Sequence, residues 1–142
     1  MFAVKPIGDK ELQKNVCQSL GTDFIEKDLA YFAAELMEDR ASVAALIGVC
    51  QFSTGKNAVI ETLVPADGFE GDEAMIVMCR AVMNFLWRCG SETVALPHSA
   101  GPASLLKACG LKECKGGYCA DLNAFYASPC HYDPEADSNT DN

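Results

Sequence analysis

The stretch VPADGFEGDEAMIVMCRAVMNFLWRCG, residues 64–90, joins a glycine-containing loop to a long apolar segment. Apolar side chains surround most of residues 72–88, and the only polar stripe, Arg80, Asn84 and Arg88, recurs every four positions. This spacing predicts a helix. A helix that is apolar on so many sides has to be covered on nearly all of them. We therefore expect it to lie between a sheet and other elements.

The loop in front of this helix combines glycine with negative charge. Backbone N–H groups at a helix N-terminus bind anions such as phosphate. Four acids, Asp67, Glu70, Asp72 and Glu73, stand at this position, and each would oppose a bound anion by about 1 kcal/mol at an effective dielectric near 20. Alternatively, Asp72 and Glu73 only complement the helix dipole, which stabilises a helix by roughly 0.3–1 kcal/mol for each acid. Both interpretations stay open.

Length and composition indicate one globular domain. The chain has 142 residues and a net charge of −9, and this charge excludes a general electrostatic attraction to nucleic acid or anionic lipid. No apolar run reaches the ~20 residues that span a bilayer, and the first residues lack the pattern of a secretory signal. We expect a cytoplasmic protein without a membrane anchor. None of the eight cysteines has the Cys-x-x-Cys spacing of a metal site, so no metal is predicted.

The C-terminal segment differs from the rest of the chain. Residues 133–142, DPEADSNTDN, contain four acids, no base and no large apolar side chain. Such a segment cannot bury enough apolar surface to fold. The sequence predicts a folded domain over residues 1–128 and an acidic, disordered tail over residues 129–142.

Periodicity and turn residues divide the remaining chain into short elements. Asp9 is placed to cap the first helix, and Thr22 or Asp23 to start a second, short helix. A turn is expected at residues 38–40. Strands are predicted at 2–7, 42–53, 58–65 and 92–97, and helices at 10–20, 72–88 and 101–110.

A hairpin is predicted near the end of the domain. Gly116 and Gly117 form a two-residue turn signal, and this turn places Cys114 opposite Cys119. Directly opposed residues of this kind have Cα atoms about 4.5 Å apart, which a disulfide tolerates. In the cytoplasm we expect two thiols.

The order of these elements resembles the GNAT superfamily, the acetyl-CoA-dependent N-acyltransferases, over residues 2–126. AVIETLVPADGFEGDEAMIVMCRAVMNFLWRCG, residues 58–90, is similar to the fourth strand, cofactor loop and third helix of that family. LLKACGLKE, residues 105–113, is similar to its fourth helix. The resemblance implies an α+β fold with a mixed, mostly antiparallel central sheet of six to seven strands, flanked by about four helices.

The resemblance also implies acetyl-CoA as cofactor. The implied contacts are Leu63, Val64, Gly71, Asp72, Glu73 and Ala74. The family loop reads Gln or Arg, two residues, Gly, one residue, then Gly or Ala. Aligned on Gly71, this chain has Gly68 at the Gln or Arg position and Glu73 at the last one. The motif is thus degenerate, and weakened or lost activity is one expectation.

Two residues are implied as catalytic. Glu61 could accept the proton of an amine as general base, or be an ordinary solvent-facing strand residue. His98 could act as base, or merely end a strand. Leu106 occupies the place of the tyrosine that family members use as general acid. The implied function is an acyl-CoA-dependent N-acyltransferase for a small-molecule or peptide amine; the alternative is a non-catalytic binding module with this fold. A homodimer is a further expectation.

Overall fold

The computed structural model describes residues 1–66 and 73–127. Seven strands form one sheet in the order β1-β2-β3-β4-β5-β7-β6. The elements in chain order are β1 Phe2–Ile7, α1 Lys10–Ser19, β2 Leu29–Leu36, β3 Val43–Ser53, β4 Asn57–Pro65, α2 Glu73–Arg88, β5 Thr93–Pro97, a 3-10 turn at His98–Ala100, α3 Ala103–Ala108, β6 Lys112–Cys114, β7 Gly117–Asp121 and α4 Leu122–Ala127. Among the strands of the described residues, only β4 and β5 pair in parallel; the other neighbours are antiparallel. The predicted mixed sheet is confirmed.

Two apolar clusters hold the helices to the sheet. The smaller joins α1 to β1, β2 and β3 through Val16, Cys17, Ile7, Ala30 and Val49. The larger joins α2, α3 and α4 to the central strands. Three methionines of α2, Met75, Met78 and Met83, are fully buried in it, because their flexible side chains fill irregular gaps between the sheet and the shorter helices.

Helix α1 begins where the sequence predicts. Asp9 is its N-cap and accepts a hydrogen bond from the Glu11 N–H at 2.8 Å. One of its buried positions is polar, however. Leu12 is 44 % exposed whereas Gln13 is buried. The reason is a side-chain hydrogen bond from Gln13 to the sheet, described below.

The short helix predicted from Thr22 or Asp23 is wrong. Residues 21–28 are irregular, and Leu29–Leu36 is a strand between β1 and β3. Ala, Glu and Leu favour helix intrinsically, but pairing on both sides overrides this preference. Small residues suit this position: Ala30, Ala33 and Ala34 are almost completely buried.

The turn predicted at residues 38–40 is confirmed. The Asp39 carboxylate accepts hydrogen bonds from the N–H groups of Ala41 and Ser42, each at 2.9 Å. The Ser42 hydroxyl donates to it at 2.7 Å. These bonds, first of all the one from the Ser42 N–H, lower the pKa of Asp39 to about 2. The charged aspartate therefore fixes the connection between β2 and β3.

The predicted register of the last hairpin is wrong. Cys114 pairs with Gly117, and Cys119 pairs with Lys112, so Gly117 belongs to β7 rather than to the turn. A Cβ at Gly117 would collide with the Leu96 carbonyl of β5, which explains why glycine is needed in the strand. Cys114 and Cys119 are diagonal neighbours, and the adjacent Cys114 thiol, more than burial, raises the pKa of Cys119. The seven cysteines of the described segments form no disulfide bonds with one another.

The acidic tail predicted over residues 129–142 lies outside the described residues, and so does the loop at 67–72. The boundary predicted at residue 128 stays a prediction. Among the helices of the described ranges, none has both the length and the apolar character that a membrane crossing requires.

Candidate functional site

Strands β4 and β5 are paired at one end and separate at the other. Their pairing is limited to three positions, of which the last joins Val59 to Ala95. The paired end is fixed by N–H groups of Glu92 and Thr93, which donate to the Lys56 carbonyl at 2.8 and 3.2 Å. Beyond Val59, β4 continues without a partner on β5. We call the space between the two separating strands the wedge.

A β-bulge lies where the wedge begins. Ile60 pairs with Phe52 and Thr62 with Gln51, so Glu61 is the extra residue of β4. A bulge bends its strand and re-aims a side chain. Here it explains both the departure of β4 from β5 and the exposure of Glu61. The sequence contains no signal for this bulge, although Glu61 itself was predicted as a site residue.

The other predicted catalytic residue lies across the wedge. His98 starts the 3-10 turn after β5, is exposed, and contacts the Tyr118 ring edge-on at 5.7 Å between centroids. Continued parallel pairing would bring Glu61 opposite Pro97, so Glu61 and His98 belong to opposite sides of the wedge. None of the hydrogen bonds or ion pairs among the described residues joins these two side chains. Their catalytic roles stay predictions.

The wedge is closed at Leu63. Leu63 is fully buried, and its carbonyl lies so close to Gly101 that a Cβ at this glycine would collide with it. Gly101 has extended backbone with φ −176°, so glycine serves the close approach and no unusual torsion. In this conformation Gly101 covers the Leu63 carbonyl.

The other predicted cofactor contacts lie near the start of α2. Gly71 and Asp72 fall outside the described residues. Glu73 is exposed, and Ala74 has its side chain in the core, so Ala74 could meet a ligand only through its main chain. Val64 is half-buried at the end of β4. These contacts stay predictions.

Leu106, in the place of the family tyrosine, lies on α3 and is fully buried in the larger cluster. A side chain at this position points into the core. We predict that Leu106→Tyr lowers the free energy of unfolding by about 1–3 kcal/mol through overpacking, measured by urea denaturation. Lys107→Tyr, at the exposed neighbouring position, is the control, with an expected change within about 0.5 kcal/mol. Equal effects of both variants would contradict close packing at Leu106.

A buried polar network lies beside Glu61, on the α1 side of the sheet. Gln51, fully buried, accepts hydrogen bonds from Gln13 Nε2 and from the Ile25 N–H, both at 2.9 Å. Its own amide donates to the Asp23 carbonyl at 2.8 Å and to Thr62 Oγ1 at 3.1 Å. We call these groups the Gln51 network. It attaches the irregular segment 21–28 to β3 and β4, and sequence reasoning missed it.

Asp28 is the last residue of this irregular segment, and its carboxyl group is buried. The residue is 1 % exposed, and neither carboxylate oxygen has a hydrogen-bond partner within the part of the chain that the structure describes. Burial raises its pKa most, the negative charge of Glu61 raises it further, and Lys27 and Lys10 act in the opposite direction. Nothing in the sequence pattern pointed to Asp28.

The raised pKa of Asp28 makes stability depend on pH. The folded state binds the proton of Asp28 more tightly than the unfolded state does, so stability is highest below the usual pKa of 3.8 and falls as pH rises through the raised pKa. We predict that Asp28→Asn removes this loss. The melting temperature of the variant relative to wild type should increase between about pH 4 and pH 7. A difference that stays constant with pH would contradict the prediction.

Comparison with known proteins identifies the fold. No protein-family model and no curated protein matches the chain. Solved structures do match. A proposed acetyltransferase from Exiguobacterium has a TM-score of 0.64 at 9 % identity, covering 91 % of this chain and 99 % of that one. An IAA acetyltransferase from Bacillus cereus has a TM-score of 0.58 at 15 % identity, with 79 % and 77 % covered.

A GNAT family N-acetyltransferase from Escherichia coli, crystallised in complex with CoA, is also similar. Its TM-score is 0.56 at 14 % identity, and the match covers 86 % of this chain and 81 % of that one. At these identities the similarity concerns the fold. It agrees with the sheet of seven strands that the described residues form and with the parallel pairing of β4 and β5. The chain is therefore a GNAT-fold protein.

Proposed function

We propose that the chain is an acyl-CoA-dependent N-acyltransferase that acts on an amine. The observation that carries this proposal is the bulge in β4, which presents the exposed carboxylate of Glu61 where β4 and β5 separate. A carboxylate at such a position can serve as the base that amine acylation needs. One of the solved structures with the same fold is an N-acetyltransferase in complex with CoA, which supports the choice of acyl donor.

The chemical step that we assign to the residues of this chain is proton transfer from the amine. Alkyl amines resemble the lysine side chain, whose pKa is about 10.4, so at neutral pH an amine carries a proton that it has to lose before it attacks an acyl group. Glu61 accepts this proton directly or through water and returns it to solvent, to which it is exposed. His98, across the wedge, is the second candidate for this role. The coenzyme supplies the activated acyl group when bound.

The contact between Gly101 and Leu63 leads to a prediction about the closed wedge. Gly101→Ala should lower the free energy of unfolding by about 1–3 kcal/mol, because the new methyl group forces the Leu63 carbonyl away. Urea denaturation measures this. Gly8→Ala is the matched control, since nothing lies within 4 Å of a Cβ at Gly8. If Gly101→Ala is no less stable than Gly8→Ala, the wedge is not closed in solution.

Binding of CoA tests the proposed function directly. A ligand present at 100 times its dissociation constant adds about 2.7 kcal/mol to the free energy of unfolding, which raises the melting temperature by several degrees in a protein of this size. We expect this shift with CoA and with acetyl-CoA, and release of free CoA when an amine is added to acetyl-CoA. No shift at millimolar CoA would contradict the proposal.

A non-catalytic binding module is the second candidate function. The closed wedge favours it, because Gly101 occupies the space beside the Leu63 carbonyl. The exposed Glu73 at the start of α2 also opposes an anionic ligand. This candidate predicts that the chain binds its partner without any effect of CoA.

A further inference from the structure

A cavity separate from the wedge lies between α2, α4 and the β6-β7 hairpin. Its volume is about 700 Å³, within the range of roughly 300–1,000 Å³ that is usual for small-molecule sites. Its described lining includes none of the wedge residues Glu61, Leu63 and His98. The part of β7 that lines it, residues 119–121, pairs with the end of β5 at which β5 is still joined to β4. We call this space the Arg80 cavity.

Gly110 keeps one corner of the Arg80 cavity open. This glycine follows α3 and has φ +94°, a conformation that side chains other than hydrogen rarely allow. A Cβ at Gly110 would lie 3.1 Å from Phe125 Cε1 and 3.7 Å from Arg80 Nη2. These two distances place the Arg80 guanidinium and the Phe125 ring around the same small space. A side chain at position 110 would fill it.

The Arg80 guanidinium is exposed and lines this cavity without a carboxylate partner from the described residues. Its carbon lies 5.9 Å from the centroid of the Phe125 ring, which is a cation–π contact. The two ion pairs within the described ranges involve other residues, although the chain has 20 acids and 11 bases. A guanidinium offers N–H donors in a planar fork that matches the two oxygens of a carboxylate. Arg80 is therefore placed to bind an anion that enters the cavity.

The aromatic wall of the cavity is held in place by contacts between α2 and α4. Trp87 Nε1 donates a hydrogen bond to Asn123 Oδ1 at 3.1 Å. The Tyr126 ring stacks on Trp87 with 4.9 Å between centroids, and its hydroxyl donates to the Arg80 carbonyl at 3.3 Å. Phe125 packs edge-on against Tyr126 at 5.0 Å. Because these side chains are already ordered, a ligand that binds beside Phe125 has little side-chain entropy to remove.

The charges around the cavity favour a ligand with a single negative charge. Arg80 and Lys112 are the cations in its lining, and Asp121 is the acid, which leaves one net positive charge. The Asp121 carboxylate accepts a hydrogen bond from the Ala124 N–H at 3.1 Å and is thereby fixed at the start of α4. A fixed acid opposes a second negative charge on the ligand. A carboxylate therefore suits this lining better than a doubly charged phosphate group.

We propose that the Arg80 cavity binds a small aromatic monocarboxylate. The carboxylate accepts two hydrogen bonds from the guanidinium of Arg80, and the ring of the ligand lies against the apolar part of the lining, Ala120, Ala124 and Phe125. The site goes beyond the proposed acyl transfer, because its ligand is neither the acyl donor nor the amine. It requires no residue of the wedge.

Calorimetric titration of the full chain with 2-naphthoate, in the absence of CoA, tests this site. We expect saturable binding with a dissociation constant of about 1 mM or lower. The neutral 2-naphthamide is the matched control ligand and should bind at least about 10-fold more weakly, because it lacks the charge that Arg80 recognises. Arg80→Gln should weaken naphthoate binding by about 10-fold or more for the same reason. Arg88→Gln removes an exposed cation from the same helix and should leave the affinity within about 2-fold.

Two further measurements locate the bound ligand. Gly110→Ala should weaken naphthoate binding by about 5-fold or more, because the methyl group fills a corner of the cavity. Gly90→Ala is the matched control, since Gly90 has φ +97° and nothing within 4 Å of its Cβ position; it carries the same backbone strain and should bind as wild type does. In protein labelled at its alanine methyl groups, naphthoate should shift the NMR signals of Ala120 and Ala124, which line the cavity, and leave that of Ala3 on β1 unchanged.

The outcomes are distinct from those of the CoA experiment. Equal affinity of wild type and Arg80→Gln, equal binding of naphthamide, or no saturable binding of naphthoate would each overturn the carboxylate site. Binding that leaves the methyl signals of Ala120 and Ala124 unchanged would overturn it as well, and this measurement decides if Gly110→Ala does not fold. A CoA-induced shift without naphthoate binding leaves the acyltransferase function intact. Naphthoate binding without a CoA-induced shift contradicts that function and leaves the carboxylate site.

Discussion

Glu61→Gln lowers kcat for acyl transfer from acetyl-CoA by about 10²–10⁴-fold, the usual contribution of a positioned general base. Glutamine keeps the shape of the side chain but cannot accept the proton of the amine. The exposure of Glu61 and its position on the bulge imply little change in stability, so the melting temperature should stay within a few degrees. Release of free CoA with 1,5-diaminopentane as acceptor, followed over a range of pH, measures this loss.

Glu92→Gln is the matched control for this experiment. Glu92 is an exposed acid beside the paired end of β4 and β5, where its carboxylate stands 3.9 Å from Lys56 Nζ. Its loss should leave kcat unchanged. If Glu61→Gln retains wild-type kcat, the base is elsewhere, and His98→Gln becomes the variant to measure.

The fold was largely predictable because its strongest signals are local. The α2 helix is apolar on most of its surface, and such a helix has to be buried. Its observed range, Glu73–Arg88, is within one residue of the predicted range 72–88. Strands β3 and β4 were predicted within one residue as well. Each of these elements has a clear periodicity of apolar residues and a turn or proline at its end.

The errors concern elements whose state depends on distant partners. Strand β2 contains residues with high helix propensity, and only pairing with β1 and β3 makes it a strand. The hairpin register was wrong because Gly117 is required by the Leu96 carbonyl of β5 and not by the turn. Neither of these tertiary contacts can be predicted from the residues that are adjacent in the chain.

The candidate site was predicted in part for the same reason. Glu61 followed from the resemblance of its strand to a known family, whereas the bulge that exposes it depends on the register between β3 and β4. Asp28 is separated from Glu61 by more than thirty positions in the chain, and its burial depends on tertiary packing. An aspartate in the loop before a strand gives no sequence signal that its carboxyl group is buried.

Gln51→Leu has the largest expected effect on stability. The substitution removes four hydrogen bonds at once and takes away the Gln51 partner of the Ile25 N–H, the Asp23 carbonyl and the Thr62 hydroxyl. Each buried group left unsatisfied costs about 1–3 kcal/mol, and leucine recovers part of this as an apolar side chain. We expect the free energy of unfolding to fall by about 3–5 kcal/mol in total, measured by urea denaturation.

Gln18→Leu makes the same chemical change at an exposed position of α1 and should alter stability by less than about 0.5 kcal/mol. The comparison also bears on the pH dependence caused by Asp28, because the Gln51 network attaches segment 21–28 to the sheet through Ile25 and Asp23. A folded Gln51→Leu should therefore lose the pH dependence that Asp28 causes, since a released Asp28 regains water. If Gln51→Leu is as stable as Gln18→Leu, the network does not anchor the segment.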